Sequence, residues 1–121
     1  MVVTTSSERV GIAAMNLSAM QALALDECLI SNWPDDLRFA EELMFLSSEV
    51  AEAFDAWRDY HDFAIHTGPD GKPEGVPIEL VDVLIGILYN AEVHGMDLAE
   101  AFEVKHRYNL TRDYRASGRV P

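Results

Sequence analysis

Two acidic pairs at i, i+3 spacing carry the chemistry this chain could do. Glu49 and Glu52 lie in Leu46-Ser47-Ser48-Glu49-Val50-Ala51-Glu52-Ala53-Phe54, and Glu79 and Asp82 in Ile78-Glu79-Leu80-Val81-Asp82-Val83-Leu84-Ile85-Gly86-Ile87-Leu88. Residues three apart share a helix face, so each pair presents two carboxylates together. Like charges side by side are unfavourable unless a cation sits between them. Asp82 interrupts a run that is apolar on nearly every side, which predicts a buried helix. A buried carboxylate must be neutralised, paired or metal-bound, because an isolated charge in low dielectric costs several kcal/mol. One acidic pair alone is ordinarily a solvated face. Two matching pairs on the two most apolar helices favour a shared hard-cation site, Mg²⁺ or Mn²⁺, across two antiparallel helices.

Near the C-terminus, Lys105, Asn109 and Arg112 are spaced i, i+4, i+7 and so share one side of a helix. Lys and Arg supply cationic donors for phosphate oxygens, and Asn adds a neutral donor and acceptor. Complementing the macrodipole at a helix C-terminus accounts for the same residues on spacing alone. The carboxylates tip the reading towards phosphate, since nucleotide chemistry needs both a metal and a phosphate clamp. Other constellations fall short. Glu103-Val104-Lys105-His106 matches one Glu-x-x-His element of a di-iron bundle, which needs two plus two further Glu. His61, His66 and His94 have no mutual ligand spacing and read as surface or helix-end residues. Gly68, Gly71 and Gly75 read as turn glycines. Cys28, the single cysteine, excludes an internal disulfide, fits a reducing cytosol and reads as a small core residue.

The elements that must position these groups are helices. Residues 1–16, rich in Thr and Ser, read as a flexible or lightly packed leader, and residues 17–121 as one helical domain. Ser18 is expected to cap a helix through Met20, Leu23, Leu25, Cys28 and Leu29, ending before Asn32-Trp33-Pro34. Asp35 or Asp36 then opens a second helix to about His61, with a stripe of Phe39, Leu43, Leu46, Val50, Ala53 and Trp57. Glu49 and Glu52 should flank that stripe. His66 to Gly75 is dense in turn formers and predicts a loop. Pro77 suits the first turn of a third helix reaching about His94, Gly95 its C-terminal stop, and Asp97 the N-cap of a fourth. No β alternation or internal repeat is evident. The expected architecture is all-α, a compact four-helix-type bundle.

Composition sets bounds on function. The chain has 121 residues, 49% of them hydrophobic, enough for one core. Its net charge of −12 argues against a general nucleic-acid-binding surface. An anionic substrate would therefore need metal to offset the protein's own field. No basic n-region precedes an apolar h-region at the start, and no apolar run approaches the ~20 residues of a membrane span. These features predict a cytoplasmic protein with no membrane partner. Apolar residues around most of the third helix predict at least a homodimer.

The ordered set of Glu-x-x-Glu, a linker, Glu-x-x-Asp in an apolar helix and Lys-x-x-x-Asn-x-x-Arg resembles the all-α nucleoside triphosphate pyrophosphohydrolases, the MazG-like superfamily. The resemblance covers roughly residues 30 to 119. It is closest in Ser48 to Phe54, Glu74 to Ile85, His94 to Ala101 and Lys105 to Arg112. It implies Mg²⁺-dependent hydrolysis of a (deoxy)nucleoside triphosphate to monophosphate and pyrophosphate. It also implies that Glu49, Glu52, Glu79 and Asp82 hold Mg²⁺ (or Mn²⁺), and that Lys105, Asn109 and Arg112 contact phosphates. A dimer or a dimer of dimers, with sites near the subunit interface, is implied as well. Many members begin the first motif with two adjacent acids, and here Ser48 stands at the first. Either fewer metals are held, or Glu49 or Glu52 takes the water-activating role. Phosphoribosyl-ATP pyrophosphohydrolases share this fold type and a similar acid pattern, and a non-catalytic helical interaction module is the alternative from another class. Trp33, Trp57 and Tyr89 could stack on a base, but as core aromatics they need no ligand.

Overall fold

Helix α1 (Leu17–Ile30) begins where Asn16 turns back on the chain, its Oδ1 accepting from the Ala19 N–H at 2.9 Å. The cap is thus Asn16 rather than Ser18, which stands inside the first turn. Asn and Ser cap about equally well, so the pattern of apolar residues further on could not choose between them. The protein is described by a computed structural model over residues 15–30 and 38–112, with α1 side chains to Asp26. Asp35, Asp36, Trp33 and the Cys28 side chain lie outside the described residues.

Arg38 is extended (φ −71°, ψ 155°), so helix α2 (Phe39–Tyr60) opens at Phe39. Glu41 and Glu42 in its first turn complement the positive end of the macrodipole. It stops at His61, whose left-handed φ of 53° lets its N–H donate to the Trp57 carbonyl. The buried residues of α2 are Glu42, Leu46, Ala53 and Ala56. Of the expected stripe, only Leu46 and Ala53 are buried. Phe39, Leu43, Val50 and Trp57 are 39–52% exposed. The buried face is rotated about 60° from that stripe, at ~100° per residue. Small side chains at Ala53 and Ala56 let a neighbouring helix approach closely, while Phe39, Leu43, Val50 and Trp57 look outward.

After α2 comes a short antiparallel hairpin, β1 (His66–Thr67) and β2 (Pro73–Glu74), with His66 opposite Glu74 and Thr67 opposite Pro73. The Gly68 N–H donates to the Lys72 carbonyl at 2.7 Å and the Gly71 N–H to the Gly68 carbonyl at 3.0 Å. The sequence predicts a loop here without β structure. Strands of two residues are too short for alternation to show.

Helix α3 (Val76–Val93) carries Pro77 in its first turn, where a missing N–H costs nothing. Its end is a Schellman turn: Gly95 at φ 69° lets the Met96 N–H reach the Ala91 carbonyl at 2.8 Å. Asp97 then caps α4 (Leu98–Thr111) by accepting from the Glu100 N–H at 3.1 Å. Both boundary residues act as expected.

Tyr60 meets Glu74 beside the hairpin, and Glu42 meets His94 at the far ends, so α2 and α3 run antiparallel. The core joins α1 and α3 through Ala24, Leu88 and Tyr89, with Met20, Leu25, Ile85 and Leu98 packed against it. Gln21 Nε2 donates to the Met96 carbonyl at 2.8 Å and to Glu92 at 3.0 Å, fixing α1 to the α3–α4 corner. The fold is all-α apart from the hairpin. Among the described residues no helix is long and apolar enough to cross a membrane. Among the described residues, two faces stay uncovered. On α3, Leu80, Val81, Leu84 and Ile87 are 38–52% exposed, so burial on nearly every side does not hold among the described residues. Helix α4 has no buried residue.

Candidate metal centre

The antiparallel pairing of α2 and α3 sets the middle of α2 against the first turns of α3. Glu49 falls on the inward face of α2, between Leu46 and Ala53. Glu79 lies in the first turn of α3, with Asp82 one turn further on. One carboxylate oxygen from each of Glu49, Glu79 and Asp82 lies within 4.8 Å of the others, and all three are half-buried. Glu52, at the exposed margin of the same face, brings its carboxyl within hydrogen-bonding reach of Glu79. All four acids named from the sequence therefore come together. Asp82 is half-buried rather than fully enclosed.

The electrostatics show the strain of that convergence. Burial raises the Glu49 pKa, and the charges of Glu52, Asp82 and Glu79 raise it further. Glu79 is raised by burial, then by Asp82 and Glu52, with Lys72 pulling it back. Asp82 is raised by burial and by Glu52, with Lys72 and a hydrogen bond from Glu79 opposing. Carboxyl groups at this range hold together by a shared proton or by a cation. The donor set is all hard oxygen, which suits Mg²⁺, Mn²⁺ or Ca²⁺ and excludes a thiolate-type site. Opposite oxygens around Mg²⁺ stand about 4.2 Å apart and those around Ca²⁺ about 4.6–5.2 Å, from their usual bond lengths. Only one pair among three ligands can stand opposite, so oxygens within 4.8 Å of one another must draw somewhat closer to share a cation.

Against this cluster lies a cleft of about 290 Å³ lined by Glu52, Asp55, Asp59, Tyr60, Lys72, Glu74 and Glu79, among others. The hairpin forms one wall and is tied to α2. The Tyr60 hydroxyl donates to Glu74 at 2.6 Å, and its ring stacks on His66 with centroids 3.9 Å apart. His66 Nε2 lies 2.7 Å from Asp62, which holds that carboxyl below the usual Asp range. The Tyr60 hydroxyl is itself raised by its bond to Glu74.

The phosphate candidates stand elsewhere. Lys105, Asn109 and Arg112 lie on and just after α4, where Lys105 and Arg112 flank the Tyr108 ring at 5.3 and 5.4 Å. The basic side chain that acts on Glu79 and Asp82 is Lys72, not one of these. Glu103, from the incomplete di-iron element, pairs with Arg107, and His106 stacks on Phe102. Of the aromatic candidates for base stacking, Tyr89 is buried in the core and Trp57 stacks on Phe63 at 5.3 Å. Neither lines the cleft. Sequence reasoning missed Lys72, Tyr60 and Glu74. For Lys72 and Glu74 the only signal was position, since the turn-rich segment leads directly into the helix of Glu79 and Asp82, and Tyr60 at the end of α2 carried none.

Comparison of the chain with protein-family models, curated proteins and solved structures returned no match.

Proposed function

We propose that this protein is a divalent-metal-dependent nucleotide pyrophosphohydrolase that converts a (deoxy)nucleoside triphosphate to the monophosphate and pyrophosphate. The observation that carries this reading is the meeting of Glu49, Glu79 and Asp82 within 4.8 Å, with Glu52 beside them and a cleft against them. The resemblance to MazG-like enzymes, which rests on the same residues and their order, supports it. Glu49, Glu52, Glu79 and Asp82 hold Mg²⁺ or Mn²⁺. A cation bound there supplies charge to polarise the α-phosphate and acidify a water. Glu52, at the exposed edge where solvent enters, and Glu49 are the carboxylates placed to take the proton from the attacking water. Water adds to the α-phosphorus, the bond to the bridging oxygen breaks, and pyrophosphate leaves.

The active species is a homo-oligomer, at least a dimer. The exposed apolar faces of α2 and α3 support this, as does a last helix with nothing buried. A second copy brings Lys105, Asn109 and Arg112 to the substrate phosphates. The deciding experiment incubates purified protein with a panel of nucleotides and Mg²⁺ and follows the products. Pyrophosphate and monophosphate are expected. Orthophosphate would refute the bond assignment, and turnover confined to phosphoribosyl-ATP would move the chain to that class. No turnover of any nucleotide would leave a binding role.

A further inference from the structure

We propose that Lys72, on the turn of the hairpin, binds the polyphosphate of the substrate in the cleft beside the four carboxylates, an inference that rests on the phosphohydrolase reading above. The other charged side chains lining the cleft are Glu52, Asp55, Asp59, Glu74 and Glu79, all acidic. A triphosphate entering that wall meets strong like-charge repulsion, and a cation at the carboxylate cluster offsets it at one end only. Lys72 supplies positive charge at the hairpin side. An ammonium on a flexible stem suits phosphate oxygens as a point charge.

Lys72 is available for that task. No carboxylate among the described residues lies within ion-pair distance of it, although its field reaches Glu79 and Asp82. Its backbone is held on both sides. The Lys72 carbonyl accepts from Gly68, and two residues on, Glu74 is fixed by the Tyr60 hydroxyl. Gly75 locks the hairpin to the chain before it, because a Cβ there would meet the Ala64 carbonyl oxygen at 2.6 Å. The hairpin thus fixes the stem of a side chain whose head is free to swing between the carboxylates and an incoming anion. A cation held by the carboxylates would offset the attraction of Lys72 to them and leave its ammonium to the phosphates.

The test uses the full-length protein saturated with Mn²⁺ and titrates inorganic tripolyphosphate by calorimetry, which needs neither turnover nor knowledge of the base. Wild type should bind it, Lys72→Met should bind at least tenfold more weakly, and Lys72→Arg should restore most of the affinity. Mn²⁺ binding without phosphate should be unchanged or slightly tighter in Lys72→Met, since a neighbouring positive charge is gone. Equal tripolyphosphate affinity in wild type and Lys72→Met would overturn the inference while leaving the metal-site reading intact. If wild type binds Mn²⁺ but no tripolyphosphate, both the inference and the phosphohydrolase reading fail. Because Lys72 is exposed on a turn, neither variant should unfold, and matching thermal melts will check that.

Discussion

Asp82 separates a metal ligand from a structural carboxylate most cleanly, because burial and the Glu52 charge both disfavour its ionised form. Its pKa in the fold lies above its unfolded value. The ionised group therefore costs stability above the folded pKa, and that cost is relieved as pH falls through it. Glu49 and Glu79 shift the same way. Metal-free protein should accordingly gain stability from these three groups on acidification from neutral pH through a window above the ordinary carboxylate range. Asp62 has the opposite sign: its lowered pKa contributes stability that is lost only as pH falls further. Thermal melts in EDTA from pH 8 to 5 check this, and a monotonic loss over that range would contradict it. Metal competes with the same protons, so Mn²⁺ affinity should fall over that window. Asp82→Asn keeps the shape and removes the charge. Nucleotide turnover should drop more than about a hundredfold, beyond the ~10–100-fold cost of losing an outer-shell partner of a ligand. In EDTA at neutral pH its melting temperature should equal or exceed wild type. A mutant that melts well below wild type in EDTA, with its Mg²⁺ response intact, would identify Asp82 as a structural partner instead.

The hairpin and the helix ends show what backbone geometry demands of single residues. Gly75 has φ 116° and no room for a Cβ, whereas Gly71 has φ 77° with nothing within 4 Å. Gly71→Ala should cost about 1 kcal/mol, the ordinary penalty for an L side chain in that region. Gly75→Ala adds a backbone clash and should cost about 1–3 kcal/mol by urea denaturation, with weakened tripolyphosphate binding as the hairpin shifts. Equal costs at the two sites would show that the Ala64 contact is not binding the hairpin. The same elements show how far a sequence can be read. Pro77, Gly95 and Asp97 act through short-range rules, and those boundaries were legible to within a residue. The convergence of the four acids was legible because i, i+3 spacing puts each pair on one face and a turn-rich segment folds the helices back. The rotation of α2 was not. Both faces of α2 carry apolar residues, and the one chosen depends on how closely Ala53 and Ala56 admit α3, which is a tertiary matter. The place of Lys72 beside Glu79 and Asp82 was hidden for the same reason: a lysine among turn residues has no periodicity to show which wall it lines.

At the scale of the whole molecule, the proposed assembly rests on the large apolar side chains that stand exposed among the described residues. Leu43 and Val50 on α2 and Leu80 and Leu84 on α3 are each more than a third exposed, as are Phe102, Val104 and Leu110 on α4. Contiguous faces of this kind mark association surfaces. Each copy also carries a net charge of −12, so two copies repel at long range while their apolar faces attract. Screening weakens the repulsion, with a Debye length of about 10 Å at 0.1 M salt, and leaves apolar burial intact. Dimerisation should therefore strengthen as NaCl rises from low to moderate concentration, the reverse of an interface held by ion pairs. Light scattering at micromolar protein across a salt series measures this, and a monomer throughout would refute the assembly. Leu43→Glu tests the face itself. Leu43 lies about two turns along α2 from Glu49 and lines neither the carboxylate cluster nor the cleft. A buried charge there should weaken the dimer at least tenfold. Because Glu49, Glu52, Glu79 and Asp82 all come from one chain, the monomeric variant should still bind Mn²⁺. Under the proposed assembly, in which Lys105, Asn109 and Arg112 come to the phosphates from a second copy, turnover should nevertheless collapse. A monomer with full turnover would show that one chain holds a complete site, and would leave Lys72 as its phosphate-binding cation.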